Sequence, residues 1–108
     1  MWFVADAPAA MTAREWREFW RTSGMRDLRL VLWAVWDPIG GTPPGEYDNY
    51  AFHIASLLGS RASREALTEE LVRIRCDQLG AEPAPEHDAR AAEKIGDWFE
   101  HAVRTRDW

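Results

Sequence analysis

The sequence predicts an all-α protein, a compact bundle of four to five short helices in a single domain. Five segments repeat apolar residues at helical spacing, and turns that contain glycine, proline or serine separate these segments. The length of 108 residues is typical of one domain with one core. We therefore expect no β-sheet at the centre of the fold.

The first segment begins at Thr12, which forms a capping box with Glu15. Trp16 and Trp20 lie on its aromatic side, and Gly24 is expected to end the helix as a left-handed cap. The tryptophans have two interpretations. They pack this helix onto the body of the protein, which we favour, or they form a partner-binding surface.

The second segment, residues 25–36, is apolar nearly all round, which predicts a central buried helix. Leu30 and Trp33 lie opposite its main stripe, and we expect the first segment to cover them. Pro38 disfavours helix at Asp37, so the helix should stop at or near Trp36.

Three more helices are predicted over residues 48–58, 63–79 and 86–103. Asp48 or Asn49 should cap the third segment and Ser63 the fourth, which should end at Gly80. Arg75 falls within the apolar arc of the fourth segment, so it must reach solvent or find a carboxylate. His87 is expected to be a surface histidine. The predicted core comprises Leu28, Val31, Leu32, Val35, Ile54, Leu57, Leu58, Leu67, Leu71, Ile74, Ile95 and Phe99.

Charge and composition limit the function. The 13 basic and 18 acidic residues give a net charge of −5, which disfavours nucleic acid and mildly favours a basic protein partner. No stretch approaches the roughly 20 apolar residues of a membrane span, and no secretory signal is apparent. The single cysteine, Cys76, cannot pair within the chain. We therefore expect a cytoplasmic protein without a membrane partner. The sequence does not predict its oligomeric state.

The stretch WDPIGGTPPGEYDNY, residues 36–50 and hereafter the connector, is either a structural clasp or a site. A clasp would use Trp36, Asp37, Pro38, Gly40 and Asp48 to stop one helix and start the next. A site would use the titratable cluster of Asp37, Glu46, Asp48 and His53 for a cation or for acid–base work. The spacing matches no established metal loop and no catalytic motif is present. We therefore expect no enzymatic activity, no cofactor and no metal. The candidate binding residues are Trp16, Trp20, Glu46, Tyr47, Tyr50 and His53.

The WDPIG and EYD motifs give the chain a family resemblance. Together with LTEELVRIRCDQLG and an alanine-rich last helix, they resemble small uncharacterised bacterial proteins akin to the YugE-like family of unknown function. The likeness covers residues 27–103 and leaves residues 1–24 as an N-terminal aromatic arm and helix outside this core. The resemblance implies a compact α-helical fold without known catalysis, and more loosely an immunity protein that accompanies a toxin.

These observations favour a small, acidic, non-enzymatic protein-binding module, in particular an immunity-type protein that neutralises a basic toxin domain by stoichiometric binding. The alternative is a ligand- or metal-binding protein of unknown role that uses the cluster of Asp37, Glu46, Asp48 and His53.

Overall fold

Helices make up the regular structure of residues 12–105, the part of the chain that the computed structural model describes. Five α-helices follow in order, and no strand occurs in this range. They are α1 Ala13–Phe19, α2 Met25–Val31, α3 Asp48–Gly59, α4 Arg64–Arg73 and α5 Pro85–Thr105. Three π-helical turns, Trp20–Gly24, Leu32–Trp36 and Ile74–Gln78, extend α1, α2 and α4. The prediction of an all-α bundle is confirmed.

The first two predicted segments are one continuous rod, residues 13–36, about 36 Å long. The prediction that Gly24 ends a helix as a left-handed cap is wrong, because Gly24 has a right-handed helical φ of −58°. A Cβ at this position would stand 2.6 Å from the Phe19 ring and 2.8 Å from the Trp20 ring. Gly24 therefore serves close packing, since it lets two aromatic rings lie across the helix backbone.

A continuous rod cannot fold back over its own second half. The expectation that the first segment covers Leu30 and Trp33 is therefore wrong. Leu30 is 51% exposed. Trp33 is half-buried, and its indole Nε1 donates to the carbonyl of Thr42 in the connector at 2.7 Å.

Local sequence signals place most of the other helix ends. The Thr12 and Glu15 capping box is present, and Ser63 caps α4 by accepting from the amide of Ala66. Gly80, with a φ of +63°, follows the π turn that ends the α4 rod. The prediction of an Asp48 or Asn49 cap is wrong, because Tyr47 occupies that position and its side chain does not cap the helix.

The core lies between the first rod, α3, α4 and α5. Of the predicted core residues, Val31, Val35 and Leu57 are half-buried at its margin and the others are buried. Phe19, Trp36 and Tyr47 add large buried side chains. None of the helices within residues 12–105 has both the length and the apolarity needed to cross a bilayer.

Candidate functional site

Asp37 organises the connector. It adopts the left-handed region, with a φ of 33°, directly after the π turn that ends at Trp36. Its Oδ1 accepts from the Gly40 amide at 3.2 Å, the Thr42 hydroxyl at 2.9 Å and the Tyr47 hydroxyl at 2.5 Å. The buried Tyr47 also accepts from the amide of Ile39 at 3.2 Å. One carboxylate oxygen therefore ties the start of the connector to its end.

These hydrogen bonds move the pKa values of Asp37 and Tyr47 further apart. Burial raises the pKa of Asp37, but the hydrogen bonds from Tyr47, Thr42, Gly40 and Gly41 outweigh it and lower the pKa below its ordinary 3.8. Burial, and then the bond to Asp37, raise the pKa of Tyr47 above its ordinary 10.0. Near neutral pH the pair is a carboxylate and a neutral phenol, an arrangement that suits a structural hydrogen bond better than proton transfer.

A second polar network lies beneath the connector. Arg75 is 5% exposed and Asp88 is fully buried. The Arg75 Nε lies 3.0 Å from both oxygens of Asp88, and Nη2 lies 2.8 Å from Oδ1. The Trp36 Nε1 donates to the same Oδ1 at 2.9 Å. Arg75 thus finds a carboxylate, which is one of the two outcomes expected from its place in an apolar arc.

Arg75 and His87 extend this network to the backbone. Arg75 Nη1 donates to the carbonyls of Pro38 and Glu82 at 3.4 and 3.3 Å. His87 Nε2 lies 2.5 Å from the carbonyl oxygen of Trp36, one of the last carbonyls of the first rod. His87 is half-buried, so the prediction of a surface histidine is wrong. Side chains from the Ile74–Gln78 turn and from the start of α5 therefore hold the end of the first rod.

The predicted titratable cluster does not assemble. Glu46 is exposed, and His53 lies 3.3 Å from Glu70 on α4. The Asp48 Oδ1 atom is buried and has no hydrogen-bond partner among the described residues. Within residues 12–105, no three His, Cys, Asp or Glu side chains are grouped so that they could hold a metal ion. The geometry therefore favours the clasp interpretation of the connector.

A different surface collects the aromatic candidates. Trp16 and Trp20 both stack on Phe99 of α5, with ring centroids 5.7 Å apart in each pair and interplanar angles of 15° and 5°. The two tryptophans form one wall of an open groove of about 380 Å³, and α3 forms the other. We call this the aromatic groove; it is lined by Trp16, Arg17, Trp20, Met25, Phe52, Ala55, Ser56 and Gly59.

Phe52 is the residue that the sequence analysis missed. Its side chain is 76% exposed, the highest value among the exposed large hydrophobic residues of the described chain. Phe52 lies off the apolar stripe of α3, where a solvated helix face normally carries polar side chains. That misplacement was the available signal. Tyr50, by contrast, is half-buried and packs against the core.

Arg17 supplies the charge of the aromatic groove. No acidic side chain lines the groove among the described residues, and within that part of the chain Arg17 has no ion-pair partner. Its neighbour Arg21 pairs with Glu18 at 2.7 Å. The groove therefore combines apolar walls with one available guanidinium.

Comparison with known proteins adds no relative to this description, since no family model, curated protein or solved structure matches the chain.

Proposed function

We propose that the protein is a stoichiometric protein-binding module that uses the aromatic groove. The observation that carries this proposal is Phe52, a phenylalanine left 76% exposed opposite Trp16 and Trp20. Contiguous exposed apolar surface is typical of interaction sites, and aromatic residues dominate binding energy at protein interfaces.

The arrangement of the tryptophans supports the same proposal. Stacking on Phe99 holds both rings in one orientation, while each remains half-exposed. A surface whose side chains are already ordered loses less conformational entropy when a partner binds. The aromatic groove is thus preorganised for a contact that excludes water.

Toxin neutralisation is the specific form of the proposal. The net charge of −5 favours a basic partner, because opposite net charges accelerate encounter. A basic toxin domain blocked by one copy of this chain would use both features. Net charge would steer its approach, and the aromatic groove would receive its apolar contact.

A pair of matched variants tests the groove. Phe52→Asp places a carboxylate in the groove, and Ile39→Asp places one on an apolar side chain that is 51% exposed in the connector. Immobilised wild type and Ile39→Asp should retain the same partner from source-cell extract, and Phe52→Asp should lose it. The purified partner should then form a 1:1 complex in native mass spectrometry. Equal retention by all three proteins contradicts the proposal.

Co-expression tests the toxin. The product of the neighbouring gene should arrest growth when expressed alone, and wild type and Ile39→Asp should restore growth. Phe52→Asp should fail to do so at equal protein abundance. A neighbouring product that is harmless on its own argues against the toxin-neutralising form and leaves partner binding to be judged by the capture experiment.

A further inference from the structure

The wall that α3 contributes to the aromatic groove is one face of a helix. Phe52, Ala55, Ser56 and Gly59 follow one another at spacings of three, four and seven residues from the first. After Phe52 the side chains are small, and a Cβ on Gly59 would stand 3.9 Å from Trp20 Nε1. The groove is therefore a trough between the first rod and α3, and the α3 wall carries one projecting phenyl ring followed by small residues.

A trough of this shape suits a third helix. Helices pack by placing the ridge of one in the groove of another, and helical ligands commonly bury one apolar face in such a groove. A bound strand needs an exposed sheet edge, and residues 12–105 contain no strand. The architecture thus favours a helical occupant.

The charge of the trough predicts which charge a bound helix should carry. Arg17 is the charged residue of the lining, and no described carboxylate neutralises it. Of the other four arginines of the first rod, Arg21 pairs with Glu18 at 2.7 Å and Arg26 with Asp27 at 3.1 Å, whereas Arg14 and Arg29 lie outside the groove lining. An occupant that carries a carboxylate beside its apolar face would supply the partner that Arg17 lacks.

We infer that the aromatic groove binds an amphipathic α-helix of a partner protein, with an apolar face against Phe52, Trp16 and Trp20 and an Asp or Glu at its edge paired with Arg17. The inference rests on the proposed function and adds the chemistry of the contact. It is compatible with a partner that is basic overall. Net charge acts during the approach, whereas Arg17 acts within the roughly 8 Å over which charges interact at physiological salt.

A helical peptide library tests this chemistry without knowledge of the partner. One face of a stable helical peptide is randomised, displayed on phage and selected against the purified full chain, in parallel with its Arg17→Glu and Phe52→Asp variants. Wild type should enrich apolar residues at helical spacing with Asp or Glu at one edge. Arg17→Glu should enrich Lys or Arg at that edge. Phe52→Asp should enrich neither the apolar face nor the acidic edge.

A matched pair of selected peptides then gives the magnitude. Two synthetic peptides that differ only by Glu or Lys at the edge position are titrated calorimetrically into each protein. For wild type the Glu peptide should bind at least about threefold more tightly, and Arg17→Glu should reverse the order. Equal affinities for both proteins, or enrichment without an apolar face, overturn the inference.

The remaining outcomes separate this inference from the proposed function. If capture of the natural partner depends on Phe52 but no helix is enriched, protein binding stands and the helical occupant is wrong. If helices bind but capture ignores Phe52, the groove chemistry stands and the proposed function fails. A dimer in sedimentation that Phe52→Asp dissociates would make a second copy the occupant, and this also overturns the inference.

Discussion

The two ends of the first rod carry tryptophans in opposite circumstances. Trp36 is buried, and its Nε1 donates to Asp88 while its carbonyl meets His87. Trp16 and Trp20 are half-exposed, and neither indole N–H makes a hydrogen bond within residues 12–105. The polar edge of a tryptophan distinguishes the two uses, because a buried indole needs a partner and an exposed one has water.

π-helical turns occur both near the tryptophans of the groove and in the clasp. Trp20, Trp36 and Arg75 each lie in one of the three π turns. A π turn inserts an extra residue into the helical repeat, so it changes the direction of the side chains that follow it. We use clasp for the connector together with Arg75 and Asp88. The polar groups of the clasp form hydrogen bonds within the fold, whereas the aromatic groove leaves apolar surface open to solvent.

The largest effect should come from the buried ion pair. Asp88→Ala leaves the Arg75 guanidinium buried without a counter-charge, which should cost about 3 to 5 kcal/mol of unfolding free energy. Urea denaturation measures the loss, and Asp97→Ala, an exposed aspartate on the same helix, should change stability by less than about 0.5 kcal/mol. The Arg75→Met, Asp88→Leu double variant should lose less than Asp88→Ala, since it leaves no unpaired charge. A double variant as unstable as Asp88→Ala would count against desolvation as the cause.

Core truncation should come next. Leu32 is fully buried in the first rod, and Leu32→Ala should cost about 2 to 5 kcal/mol. Leu30→Ala removes the same atoms from a side chain that is 51% exposed and should cost less than about 1 kcal/mol. Urea denaturation of both proteins compares them. Similar losses of unfolding free energy would mean that the first rod presents a different face to the core.

The clasp should respond to pH through Asp37. Because its folded-state pKa is lowered, the carboxylate contributes stability above its unfolded pKa, and this contribution is lost as the pH falls below about 4 through the folded value. Tyr47→Phe removes a hydrogen bond to a charged acceptor, so it should cost about 1.5 to 3 kcal/mol at pH 7. The variant should also lose less stability than wild type between pH 5 and pH 2. If stability falls equally with pH in the two proteins, the hydrogen bond from Tyr47 does not lower the pKa of Asp37.

Helical periodicity is sufficient to predict the fold class and most of the core, because apolar residues at helical spacing mark the face of each helix that is buried. Gly24 was misread, since glycine serves both as a cap and as a point of close approach. The sequence places Arg75 within an apolar arc and predicts that it reaches solvent or finds a carboxylate, and the carboxylate it finds is Asp88. Their pairing remained hidden because it depends on how two helices are placed relative to each other. Phe52 was missed because one apolar residue on a polar face is common and gains meaning only beside Trp16 and Trp20.

The smallest effect on stability should come from Phe52, the most exposed large hydrophobic side chain of residues 12–105. Phe52→Ala removes a whole phenyl group, yet it should cost less than about 0.5 kcal/mol, because that side chain is 76% exposed. Its effect should instead appear as lost partner binding.

The most direct test sets this variant beside Tyr47→Phe in one urea denaturation experiment at pH 7. The clasp serves the fold and the exposed Phe52 ring does not, so removing one oxygen atom from Tyr47 should cost more unfolding free energy than removing the entire ring of Phe52. A larger loss for Phe52→Ala would contradict this division of roles.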